Sequence, residues 1–195
     1  MSLIDRIHGH FEAAAQAAQA AAALAPAIEA AAQAVVACLA QGGKVLACGH
    51  GASAANAQHF TATMLDRFEH ERPGLAALTL AADAAVLTAL VGEHGGDAVF
   101  ARQVRALGQP GDLLLALSVR GATPGVVRAA EAARARGMGV IALTGRDGGP
   151  LEEQTGAGDV LIRVPSDSPA RIQEIHLLIL HGLCDAVDSV LLGVE

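Results

Sequence analysis

Apolar residues recur along this chain in two rhythms. Over residues 2–24 alanine dominates, and its high intrinsic propensity predicts a helix. Pro26 marks a break and is well placed to open a second helix, because proline at a first helical position gives up an amide that has no partner there anyway. Leu24, Ile28, Val35 and Leu39 then recur near helical spacing as far as Gly42 and Gly43, a C-terminal stop. Beyond that point short apolar runs take over: KVLAC (44–48), LAALTL (75–80), DLLLALS (112–118), GVIALTG (139–145) and VLIRVPS (160–166). Helical segments separate them, over 53–68, after residue 80, over 124–136, and from 169 to about 191.

Apolar strands alternating with helices predict a parallel sheet covered on both faces, since each parallel crossover needs a helix and leaves neither face to water. The expected fold is therefore α/β: a three-layer, doubly wound, five-stranded parallel sheet with extra N-terminal helices. One domain spans 1–195, with helices for oligomerisation over 1–42 and the α/β core over 43–195. Thr123 before Pro124 and Ser168 before Pro169 read as helix N-caps followed by proline.

Composition narrows the partners. Hydrophobic residues make up 52% and charged residues 17%, with no Trp or Tyr, so Ala, Leu, Val and Ile must build the interior. Such an apolar excess is most simply hidden in subunit interfaces, which predicts an oligomer. A net charge of −7 argues against direct nucleic-acid binding, which depends on Lys and Arg neutralising phosphates. Cys38, Cys48 and Cys184 form no CxxC pair and read as buried residues in a reducing compartment. The first residues carry charges and histidines without the pattern of a leader, and no strongly apolar run of membrane-spanning length is evident. The expected location is the cytoplasm, with no membrane partner.

In open α/β sheets ligands collect beyond the carboxyl ends of the strands. GHGAS (49–53) has Gly49 and Gly51 to admit a ligand to the backbone, and Ser53 to bond it at a helix start. SVRGAT (118–123) offers Ser118 and Thr123, with Arg120 as a cation. Singly, Ser53 and Thr123 read equally well as helix caps. Two such loops after parallel strands favour an anion site, because helix N-termini attract negative charge.

GHGASAANAQHF, TALVGEHGGDAVFARQVRALGQPGDLLLALSVRGATPGVV, MGVIALTGRDGG and VPSDSPARIQEIHLLILHGLCDAVD resemble the phosphoheptose isomerase branch of the SIS (sugar isomerase) family, over about residues 40–190. The resemblance implies a phosphosugar ligand, held by Gly51, Ser53, Ser118, Arg120, Thr123 and Gln173. It also implies a histidine and a glutamate one turn apart on the helix after the first loop, and a glutamine and a histidine on the last helix, which bind a metal, commonly zinc, and move the proton. His59, Gln173 and His181 match three of these positions; the glutamate position is Thr63.

A threonine hydroxyl is no base near neutral pH, and general acid–base catalysis is worth ~10²–10⁴-fold. The three matching residues also bring no carboxylate or thiolate to a metal. Asp66, Glu69 and Glu174 are the nearest alternative carboxylates, and Glu93 stands where the isomerases carry Asp. His50, Ala52 and Asn56 replace Asn, Gly and Asp of the first loop, and Val119 and Arg120 replace two hydroxyl residues of the second. Asn56, Arg120, SAANAQHF and RFEHERP bring the chain nearer to initiator-associating proteins of the same branch, homotetramers that bind the replication initiator DnaA. His181 reads either as a retained proton carrier or as a helix histidine in a subunit interface or paired with Asp185.

The expectation is thus a non-catalytic homotetramer of phosphosugar-binding type, without a cofactor, that binds DnaA and promotes replication initiation. The alternative is an isomerase converting sedoheptulose 7-phosphate to glycero-manno-heptose 7-phosphate for lipopolysaccharide synthesis, with His181 catalytic and zinc at His59, Gln173 and His181. A phosphosugar sensor is compatible with the first.

Overall fold

Ser2 opens the first helix, α1 (Leu3–Ala21): its hydroxyl accepts from the Asp5 amide at 3.1 Å, and the Asp5 carboxylate accepts from the Ser2 amide at 2.8 Å. A 3-10 turn over Ala22–Leu24 leads into α2 (Ala25–Ala40), which has Pro26 in its first turn. The break expected at Pro26 falls just ahead of it, because the proline ring clashes with a carbonyl four residues back and the preceding turn tightens to relieve it. The computed structural model describes residues 1–193.

The five strands are β1 (Val45–Cys48), β2 (Ala77–Thr79), β3 (Leu113–Leu117), β4 (Gly139–Gly145) and β5 (Val160–Val164). They form one parallel sheet in the order β2-β1-β3-β4-β5. Between and after them run α3 (Ala52–Leu65), α4 (Ala84–His94), α5 (Val99–Leu107), α6 (Pro124–Ala135), the short α7 (Gly149–Glu153) and α8 (Pro169–Leu192).

Successive strand residues face opposite ways, so the sheet serves two cores. Val45, Ala47, Leu115 and Ile141 pack with α2, α3 and α8; Leu46, Cys48, Leu114 and Val140 pack with α5 and α6. Burial on both faces is why each strand reads as an unbroken apolar run. Asp112, 3% exposed, stitches the starts of β1 and β3 by accepting from the Lys44 amide (2.9 Å), Lys44 Nζ (2.6 Å) and the Gln109 amide (2.8 Å).

Several local expectations change. The helix expected over 53–68 ends at Leu65, because the Arg72 guanidinium takes the carbonyls of Thr63 and Met64 as donor partner at 3.1 and 2.9 Å. The stretch after residue 80 divides into α4 and α5 around Gly95, whose φ of 78° no helix continues. Neither Thr123 nor Ser168 caps its helix through its side chain. The Thr123 hydroxyl is instead bonded to that of Ser118. Two helical stretches, Leu3–Ala40 and Pro169–Leu192, are long and apolar enough to cross a membrane by length and composition, which the apolar-run criterion does not register. In α8 that apolarity faces the core: Ile172, Ile179, Leu183 and Val187 are all buried among α2, α3 and the sheet.

Candidate functional site

The sheet order reverses at β1, since the chain leaves it towards β2 on one side and returns to β3 on the other. The loops after β1 and β3 therefore part above their strands and leave a crevice, the usual ligand position in such sheets. A cleft of ≈ 710 Å³ lies there, with Ser53, Arg120, Thr123 and Gln173 in its wall beside His50, Val119 and Pro169.

Each loop needs its glycines. A Cβ on Gly49 would lie 2.7 Å from the Ser53 backbone, and Gly51 starts α3 at φ 57°. Gly51 thus acts through its backbone and Ser53 is no cap. Ser53 lies inside the first turn, 5% exposed, its hydroxyl donating to Gln173 Oε1 at 3.4 Å. Gln173 in turn donates to the Ala52 carbonyl at 3.0 Å, and Asn56 donates to the Gln173 carbonyl at 3.3 Å, so α8 is fastened to the opening of α3. In the second loop a Cβ on Gly121, at φ 63°, would collide with the Gly148 carbonyl. Ser118 is buried behind Thr123, the two hydroxyls 2.9 Å apart. In sequence, Gly51, Ser53, Ser118, Arg120, Thr123 and Gln173 group as ligand-binding, whereas His50, Asn56 and Val119 read there only as replacements. For His50, a ring-bearing residue between two glycines at a strand end is the signal.

Further along the same two helices, His59 Nε2 and His181 Nε2 stand 2.9 Å apart, their rings edge to face with centroids 5.0 Å apart. Phe68 packs against His181 at 5.6 Å. Burial, and secondly the neighbouring imidazole, lower the pKa of His59 below its usual value, so the pair is neutral near pH 7 on the His59 side. At this distance one ring donates its N–H and the other accepts it. His181 is therefore bonded to His59 and makes no pair with Asp185. Thr63, one turn from His59, donates its hydroxyl back to the His59 carbonyl at 3.0 Å. Glu174 is held by Arg171 at 2.5 Å, Asp66 lies at the C-terminal end of α3, and Glu69 and Glu93 are exposed.

The zinc reading fails on the donor set. Among the described residues no three of His, Cys, Asp or Glu gather at one point. Two imidazoles sharing a tetrahedral zinc at ~2.0–2.1 Å would hold their nitrogens about 3.4 Å apart, whereas these are at hydrogen-bonding distance. His59, Gln173 and His181 as arranged do not fit a zinc ion.

Residues 10–145 match the model of the SIS domain family. The chain is 63% identical over its whole length, and that of its relative, to the phosphoheptose isomerase of Thiobacillus denitrificans. It superposes on a phosphoheptose isomerase from Francisella tularensis with a TM-score of 0.94 and 47% identity, covering 97% of this chain and 100% of that one. On phosphoheptose isomerase GmhA from Neisseria gonorrhoeae the TM-score is 0.91 at 45% identity, covering 96% and 100%. These relatives, named as isomerases along their full length, overturn the expectation of a non-catalytic protein that binds DnaA. That expectation gives decisive weight to the missing carboxylate at position 63 and does not foresee that His59 and His181 stand against one another.

Proposed function

Because this chain belongs to the SIS domain family, in its phosphoheptose isomerase branch, we propose that it is an aldose–ketose isomerase that interconverts sedoheptulose 7-phosphate and glycero-manno-heptose 7-phosphate. One observation carries the reading: a hydroxyl-lined cleft at the helix starts is joined, along α3 and α8, to a pair of imidazoles.

The phosphoryl group is held where Ser53, Ser118, Thr123 and Arg120 meet the free amides opening α3 and α6. From Ser53 to His59 is about 9 Å along α3, and from Gln173 to His181 about 12 Å along α8, at 1.5 Å per residue. That span suits a sugar phosphorylated at the far end from its carbonyl. At the imidazole pair, one neutral ring takes the proton from the carbon beside the carbonyl, and the C–H electron pair forms the enediol double bond. The partner ring supplies its N–H proton to the carbonyl oxygen; the first proton then returns to the former carbonyl carbon while the neighbouring hydroxyl gives its proton back to the partner ring and becomes the new carbonyl, which completes the isomerisation. Histidine is suited to this, since a base titrating near the working pH is most effective. Gln173, near the start of α8 and in the cleft wall, orients the sugar hydroxyls. The protein works as a homotetramer in the cytoplasm; that copies associate is supported by the exposed apolar residues Leu3, Ile4, Ile7 and Phe11 of α1.

Turnover of sedoheptulose 7-phosphate tests the proposal. Wild type is expected at ordinary enzyme rates, and His181→Asn lower by about 10²–10⁴-fold. Wild-type turnover no faster than the buffer blank would overturn it.

A further inference from the structure

Among the polar side chains of the cleft wall, His50 is the one that the isomerisation above leaves idle. Its ring stands beside Ser53, Arg120 and Thr123. Two elements fix it there. Phe100 of α5 packs tilted against it, with centroids 4.8 Å apart at 55°. Gly125, in the first turn of α6, leaves the space it occupies: a Cβ at that position would lie 2.7 Å from His50 Nε2 and 3.1 Å from the Gly96 carbonyl. Among the described residues neither ring nitrogen has a hydrogen bond to the protein. The imidazole is thus held by apolar and backbone contacts, at the start of the helix that opens on the cleft, with its polar atoms uncommitted.

The charged groups around it come from each neighbouring element. Asp97, in the 3-10 turn ahead of α5, favours the charged ring; Arg128 of α6 lies 3.7 Å from Asp97 and offsets it; Arg120 shares the cleft wall. Burial outweighs Asp97 and keeps the ring's pKa below its usual value, so the resting group is neutral.

We propose that His50 binds the phosphoryl group in this cleft, and that the anion is taken up together with a proton on the imidazole. The proposal rests on the cleft being a phosphosugar site. A dianion against an imidazole N–H is held more tightly by the charged ring than by the neutral one, and what favours binding of the anion favours binding of the proton by the same factor. Asn, the residue expected at this position from the resemblance, could bond the same oxygen without that coupling.

Sulfate separates the protein's titration from the ligand's, because it remains a dianion over the whole range used. Calorimetric titration of full-length protein with sulfate between pH 5.5 and 8 is expected to give a Kd that rises about tenfold with pH, one pKa unit of coupling. His50→Asn and His50→Gln are expected to bind with a flat profile, and His181→Asn to keep the wild-type slope. A slope that survives in both His50 variants, or a flat profile in wild type that still binds sulfate, defeats the role of His50 and leaves the anion cleft standing. Absence of sulfate binding by wild type at every pH defeats both.

Discussion

Thr63 has its hydroxyl committed to its own helix, so a carboxylate put there would be free to turn towards the imidazoles. Thr63→Glu is expected to complete a His–Glu–His set and to bind zinc more tightly than wild type in competition with a chromophoric chelator; equal affinity would mean that the helix spacing is wrong for a metal. His176 carries a separate expectation. It is fully buried in α8, its Nε2 bonded to the Thr144 carbonyl at 3.0 Å, its Nδ1 without a partner, and burial drives its pKa down to about 4. The unfolded chain therefore binds that proton first as pH falls. Stability is full above the ordinary value of about 6.5 and declines towards pH 4, by roughly 3 kcal/mol in all from this group. Urea midpoints measured from pH 7.5 to 4.5 should fall steeply in wild type and more gently in His176→Gln. Of the residues in the cleft wall, Ser53, Arg120 and Thr123 are legible from hydroxyls and glycines after apolar runs. The bond between His59 and His181 is not, because nothing in spacing tells which faces of α3 and α8 meet.

At the scale of elements, the end of α3 depends on a partner far along the chain. Arg72 donates to the last carbonyls of α3 and to Asp188 Oδ1 at 2.5 Å, with side chains 1% and 2% exposed. Among the described residues Asp188 Oδ2 has no hydrogen-bond partner. Arg72→Ala would leave a buried, unpaired carboxylate and take a donor from the Thr63 and Pro73 carbonyls, while the Met64 carbonyl keeps the Leu75 amide, and is expected to cost about 3–5 kcal/mol in chemical denaturation. A loss under 1 kcal/mol would mean that water reaches Asp188. The strands and long helices are readable from apolar runs and alanine content, since burial on both sheet faces imprints them directly. Element ends are less so. The end of α3 is set by Arg72, seven residues beyond Leu65, and α7 is too short to carry a periodic pattern. The hydroxyls of Thr123 and Ser168 look like caps in sequence, but Thr123 has a better partner in Ser118 once the loop folds.

The whole molecule presents Leu3, Ile4, Ile7 and Phe11 to solvent on α1, at 74%, 65%, 48% and 73% exposure, an uncovered stripe on a chain of net charge −7. Light scattering at micromolar concentration is expected to give the mass of a tetramer, and Ile7→Glu with Phe11→Glu a smaller species; a wild-type monomer would count against assembly through α1. Fold class follows from the sequence because every strand is paired in parallel and must be sheathed by helices. The same topology also sets a pace. The centre of the sheet joins Val45 to Leu113, and the Lys44–Asp112 bridge closes a loop of 68 residues, so the middle of the molecule forms only after a long stretch of chain has been gathered. Helical local contacts can appear in microseconds, but refolding to the native sheet should take milliseconds or longer, with a helical intermediate visible before β1 and β3 meet. Until then two strand edges stand open, and crowded refolding would trade yield for concentration.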